Sequence, residues 1–234
     1  MKKSIYLAAL LAAVLPGSLS AATLVQYTFD INNDTTAFDA TTKGTGITAT
    51  AVSQTGFTSV STNNSPAFTP GRSRAVTFQN IDDLFTTDHY YEFTVTASAG
   101  NALDLTNLTF YYNLSSGTAG ATANSRYQLR YDNLADGAGF VTVGTTDYTT
   151  NTTGLLANFD LSGASFDNLT QGITFRLDVA DSGSAATNSS VRLDQLSVDG
   201  AVVAAVPEPS AMATLLGGLG IMIGFQRSRR RIEG

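Results

Sequence analysis

The chain contains no cysteine, no tryptophan and a single histidine in 234 residues. Without cysteine there is no thiol catalysis, no cysteine-ligated zinc and no disulfide framework, and a domain of this size can build its core without one. The missing tryptophan removes the usual stacking residue of sugar-binding surfaces and leaves tyrosine for that work. The one histidine, His89, follows Asp88. A Ser-His-Asp arrangement would have to use it, yet no Gly-x-Ser-x-Gly elbow accompanies it, so the plain reading is a loop residue. Charge is scarce as well, at 14 % Asp, Glu, Lys and Arg. Residues 23–206 hold 17 acidic and 7 basic side chains, a net charge of −10. That balance argues against a nucleic-acid backbone as partner and suits solubility and cation binding. Between residues 23 and 206 only one glutamate occurs, Glu92. A glycosidase needs two placed carboxyl groups, and the adjacent Asp82 and Asp83 point apart on an extended chain. A secreted hydrolase is therefore the weakest of the functional readings.

What remains is rich in Thr, Ser, Asn and Gly. Short runs with period-two alternation recur between turn-forming clusters. Strands are expected near residues 24–29, 47–52, 74–79, 90–96, 107–113, 126–132, 139–143, 155–161, 172–179 and 191–203. In the clearest, Ile173, Phe175, Leu177 and Val179 face one way and Thr174, Arg176 and Asp178 the other. Tyr127, Leu129 and Tyr131 share a face in the same manner. The last strand changes phase between Leu193 and Leu196, which predicts a bulge near Asp194 and Gln195. Residues 32–46 and 61–73 read as loops. No apolar stripe of helical period appears between the two ends. The expected fold is an all-β antiparallel β-sandwich, a jelly roll, with a flattened barrel as the other possibility. The first and last strands are candidates for neighbours that close it. Arg176 with Asp178, and Arg192 with Asp194, each share a strand face and suit cross-strand ion pairs.

The two ends are of another kind. Lys2 and Lys3 precede an apolar run over residues 5–15, and Ser20, Ala21 and Ala22 supply small residues. This is the pattern of a secretory signal peptide over residues 1–22, cut after Ala22 or Ala21. At the other end, Pro207-Glu208-Pro209 is followed by an uncharged run over residues 211–225 and then by Arg227, Arg229, Arg230 and Arg231. As a helix that run would span roughly 22 Å, short of the about 30 Å of a bilayer core. Its glycines weaken it further, and the arginines would stay cytoplasmic. The expected organisation is a sandwich over 23–203, a linker over 204–210, a hydrophobic membrane helix over 211–225 and a basic tail over 226–234.

These three features in this order resemble the PEP-CTERM sorting signal of Gram-negative bacteria. The stretch from Val191 through Gly200 to Pro207 is also similar to the last strand of many PEP-CTERM β-sandwich proteins. The resemblance implies an exosortase-type, transpeptidase-like membrane enzyme that cuts near Pro207, Glu208 and Pro209. It further implies anchoring at the inner membrane before processing, then the cell surface or extracellular matrix, in company with exopolysaccharide or biofilm. The Pro-Glu-Pro motif is then a substrate for another enzyme, and the chain itself is no enzyme.

Two ligand sites are candidates. Asp30, Asn32 and Asp34 place oxygen ligands at alternate positions, as calcium loops do, without the glycine and terminal glutamate of an EF-hand. Asp30 and Asp34 are the expected ligands of a structural calcium; the bland alternative is a good turn. Sugar recognition would draw on Tyr90, Tyr111, Tyr112 and above all Tyr131, with Arg130 and Asp132 to bond hydroxyls. Tyrosines on alternating strands are more often core, and an exposed cluster of them beside polar groups would mark a saccharide-binding module.

Overall fold

The computed structural model describes residues 21–29, 37–57, 59–64, 72–78, 85, 88–114, 125–146, 154–181 and 189–205. The described residues hold fourteen strands, β1 (Ala22–Tyr27), β2 (Ala37–Phe38), β3 (Thr42–Lys43), β4 (Ile47–Ala49), β5 (Val52–Thr55), β6 (Ser59–Asn64) and β7 (Arg72–Phe78), then β8 (Tyr90–Ala97), β9 (Asn101–Leu114), β10 (Ser125–Asn133), β11 (Val141–Thr145), β12 (Leu155–Asp160), β13 (Ile173–Asp181) and β14 (Ser189–Ala204). They form two seven-stranded antiparallel sheets. The first runs β12-β9-β14-β1-β3, with β7 also against β14 and β6 against β7. The second runs β11-β10-β13-β8-β5-β2, with β4 also against β8. From β7 onward the chain changes sheet at every step except the β10–β11 hairpin, which is the wrapping of a jelly roll.

Alternation decides what lies between the sheets. Ile173, Phe175, Leu177 and Val179 of β13 are wholly buried, and Tyr91, Phe93 and Val95 of β8 meet them. Leu105, Leu108 and Phe110 of β9 and Val25 and Tyr27 of β1 complete the core from the first sheet. Ring contacts cross the interface: Tyr27 meets Phe93 edge-on at 5.3 Å, and Phe110 meets Tyr127 at 5.2 Å. Such pairs add about 0.5–1.5 kcal/mol beyond the area they bury.

All ten expected strands are present, and three expectations need correction. The run expected over residues 47–52 is two strands, β4 and β5, both paired with β8. At the break, Thr94 N donates to the Thr50 hydroxyl, and the Thr50 carbonyl is left to accept the Tyr27 phenol at 2.7 Å. Burial together with the charge of Asp39 holds that phenol well above its usual pKa. The run 61–73, read as a loop, holds most of β6 and the start of β7; β6 lacks apolar alternation and becomes a strand by pairing with β7 over six positions. The run 32–46, also read as a loop, contributes the two-residue strands β2 and β3. The predicted bulge is present. On β14 three steps from Asp194 to Ser197 oppose two on β9 from Tyr111 to Thr109, and Gln195 takes a positive φ of 49°. The bulge falls where the free edge of β14 passes from β7 to β1. The first and last strands are neighbours, as expected.

Candidate functional site

The outward face of the second sheet gathers the chemistry of the described residues. Register fixes its rows. Arg130 of β10 lies opposite Arg176 of β13, which lies opposite Glu92 of β8. The next row is Gln128, Asp178 and Tyr90, and the row on the other side is Asp132, Thr174 and Thr94.

Two arginines directly opposite would repel each other, and each is neutralised by a different carboxylate. Arg176 donates from Nη2 and Nε to Glu92 Oε2, at 2.6 and 3.0 Å. Arg130 reaches diagonally, donating from Nη1 to Asp178 Oδ2 at 3.4 Å. Both arginines therefore pair across strands, and the same-strand neighbours Arg176 and Asp178 serve different partners. The Arg176 guanidinium also lies between two rings, 3.9 Å from the centroid of Tyr90 and 4.0 Å from that of Phe140. Phe140 comes from the turn before β11 and also approaches Arg130, at 5.4 Å. A planar cation stacked on aromatic faces and forked to a carboxylate is held in one orientation.

Asp178 is 1 % exposed beneath this layer. Burial raises its carboxyl above the usual carboxylate range, against the pull of Arg130 and then Arg176. Its Oδ1 is buried without a hydrogen-bond partner. The third row adds the half-buried hydroxyls of Thr94 and Thr174, 2.8 Å apart, and the half-buried Asp132. This face can bond hydroxyl groups and offer ring surface. Its two arginine-bound carboxylates are occupied.

The three residues expected at a sugar site are divided by the strand pleat. Arg130 and Asp132 point outward, whereas Tyr131 points inward and packs on Phe166 with ring centroids 4.7 Å apart. Tyr112 is buried against Tyr127, and Tyr111 is half-buried on the first sheet. Of the tyrosines named from the sequence, only Tyr90 stands on the outward face of the second sheet, where it is separated by β13 from Arg130 and Asp132 on β10. Phe140 was missed. It was expected within a strand over 139–143 but lies in the turn before β11, and the fold of that turn carries it onto the arginines. A separate cleft of about 400 Å³ lies at the open edge between β11 and β12, floored by Tyr112 and Phe159 and rimmed by Thr145, Thr146 and Asn158.

His89 immediately precedes β8, beside Phe57. Its Nδ1 is buried without a partner, and burial lowers its pKa despite Asp88 and a hydrogen bond with the Gly56 backbone. Among the described residues no group of three His, Cys, Asp or Glu side chains could hold a metal ion. Asp30 and Asp34 lie outside the described residues, as do residues 1–20 of the expected signal peptide and residues 206–234 with the Pro-Glu-Pro motif, the 211–225 run and the arginines. Among the described residues no helix is long and apolar enough to cross a membrane.

Comparison with known proteins gives two kinds of likeness. The family model described as the PEP-CTERM protein-sorting motif matches residues 205–231. No protein of curated function matches the chain in sequence. Among solved structures, the chain is similar to the CBM22-1 xylan-binding domain of Paenibacillus barcinonensis Xyn10C, with a TM-score of 0.45, 12 % identity and coverage of 81 % of this chain and 100 % of that one. A non-crystalline-cellulose-specific carbohydrate-binding module, CBM28, gives a TM-score of 0.40 at 12 % identity, covering 61 % of this chain and 82 % of its own. The mannan-recognising module TmCBM27 gives 0.39 at 10 %, covering 78 % and 99 %. At such identities the likeness says nothing of a shared ligand. The chain is thus an antiparallel β-sandwich carrying, from the end of its last strand, the PEP-CTERM sorting motif of an exported protein.

Proposed function

We propose that this chain is a non-catalytic protein of the cell surface or extracellular matrix, associated with exopolysaccharide. It is held first at the inner membrane by residues 211–225, and an exosortase-type enzyme acts on it around Pro207, Glu208 and Pro209. The observation that carries the reading is the sorting-motif match at 205–231, which begins where β14 ends. The non-catalytic part is supported by Glu92 and Asp178, both engaged by arginine, and by His89, whose Nδ1 has no partner. The test is the intact mass of the protein recovered from membrane, matrix and medium of its native host. A mass ending near Pro209, found away from the inner membrane, is the expected result. A full-length tail still in the inner membrane would sink the reading and leave a plain anchor.

A second reading, a carbohydrate-binding module, is favoured by one observation: Tyr90, Phe140, Arg130, Asp132, Thr94 and Thr174 share the outward side of the second sheet. Retardation of the purified sandwich in gels containing the host's exopolysaccharide tests it. Tyr90→Ala together with Phe140→Ala should abolish the retardation. Unchanged mobility of the wild type across neutral and acidic polysaccharides would rule it out.

A further inference from the structure

The last strand is held unevenly. Residues 191–193 of β14 lie between β9 and β7, and residues 197–200 lie between β9 and β1. Beyond Gly200, among the described residues, only β9 remains: Ala201 faces Asp104, Val202 faces Leu103, Val203 faces Ala102 and Ala204 faces Asn101. Among the described residues nothing pairs with the other edge, because β1 begins at Ala22, opposite Gly200. The expected signal-peptide cut, after Ala22 or Ala21, falls at the same place. At the root of the segment β9 carries one extra residue, Thr106, and passes very close to Gly200. The register of β14 on β9 shifts between Asp199 and Gly200, and a Cβ on Gly200 would collide with the Asp104 carbonyl oxygen. Burial changes at the same place. Leu193, Leu196 and Val198 are fully buried, whereas Ala201, Val202 and Val203 are half-buried and Ala204 is exposed.

The sorting motif begins where this segment stops. The Ala205 amide donates to the Gly100 carbonyl at 3.1 Å, and the motif match starts at that residue. Pro207 follows two residues later, a reach of at most about 7 Å for an extended chain. An enzyme that grips its substrate as an extended strand, through main-chain bonds on both sides of the cut, needs several residues free of other partners. In the folded sandwich those residues are bonded to β9.

We propose that residues 201–204 are a detachable handle: the processing enzyme engages the sorting motif only after this segment has left the sheet, bending at Gly200. The inference rests on the exosortase reading above. Its physical basis is that a segment paired on one edge and half-buried opens at a fraction of the global unfolding cost. Cleavage then follows the population of that open form.

The absence of cysteine makes the test clean. Ala102→Cys with Val203→Cys places a cysteine pair across a strand rung at disulfide distance. In the native host, pulse-labelled protein is followed from precursor to processed mass, with the disulfide checked on non-reducing gels and folding checked by protease resistance. The locked protein should be processed at least about tenfold more slowly than wild type, since cleavage scales with opening. Each single-cysteine variant should match wild type. A ten-residue Gly-Ser insertion after Ala205 should restore the locked protein to at least the wild-type rate. Locked protein processed as fast as wild type overturns the handle alone. Wild type that never loses its tail overturns the handle and the sorting reading together.

Discussion

The two faces of β13 are made by alternate residues of one strand and are held by different physics. Inward, Ile173, Phe175, Leu177 and Val179 are fully buried among other apolar side chains. Their contribution is nondirectional and scales with area. Outward, Thr174, Arg176 and Asp178 depend on geometry: a fork to Glu92, a ring on each side of a guanidinium, a carboxylate beneath Arg130. Arg176 is 17 % exposed and Glu92 31 %, so water and salt weaken that pair. The inner face accounts for the fold's stability, and the outer face determines which surface is offered to a ligand.

Substitutions along β13 test this division, and the largest effect belongs inside. Phe175→Ala should destabilise the sandwich by about 3–5 kcal/mol, the usual cost of emptying a buried ring site. Urea unfolding measures it, and a loss under 1 kcal/mol would mean that the faces are not so different. Arg176→Ala should cost about 1–2 kcal/mol through the lost fork and stack. Here a double-mutant cycle with Glu92→Gln isolates the pair, whose coupling should shrink in high salt.

Asp178→Asn should change stability at neutral pH by less than about 1 kcal/mol, because the neutral amide removes a desolvated charge while Arg130 loses a partner. The sign of its pH dependence is firmer. A carboxyl whose folded pKa is raised stabilises the fold fully below its unfolded pKa, and that contribution is lost as pH rises through the folded value. Wild type should therefore lose stability relative to Asp178→Asn as pH climbs from the ordinary carboxylate range, reaching a plateau once the carboxyl is ionised. Parallel stability curves for the two proteins would contradict the buried-carboxylate account. The smallest effect is expected of Thr174→Val, about 0.5 kcal/mol from the lost bond with Thr94, offset by better β propensity. Its informative readout is ligand binding, which should weaken if the outer face recognises a saccharide.

The same contrast explains how far the sequence could be read. Buried alternation is a local signal, so β8, β10 and β13 stand out from residue types alone. The bulge at Gln195 was legible because one extra residue shifts the apolar phase of β14. Strand β6, Ser59–Asn64, carries no such phase and owes its conformation to β7. The split between β4 and β5 depends on Thr50 accepting a bond from a residue 44 positions away. At the candidate face, Arg130 and Asp132 were found because they oppose a buried set. Phe140 was not, since it read as part of a strand over 139–143, whereas β11 begins at Val141 and the turn before it carries the ring onto Arg176.

By itself the sequence determined the sorting tail, the all-β class, most strands and which residues of each strand face inward. These depend on order and spacing within a few residues of chain. Tertiary structure alone decided that β14 takes β9 as its other neighbour, that among the described residues its last four paired residues are held on one edge, and that Glu92, Arg130, Tyr90 and Phe140 meet around Arg176. Those facts depend on which strands become neighbours, and pairing between distant segments is chosen by the burial of the whole core, which no local pattern encodes.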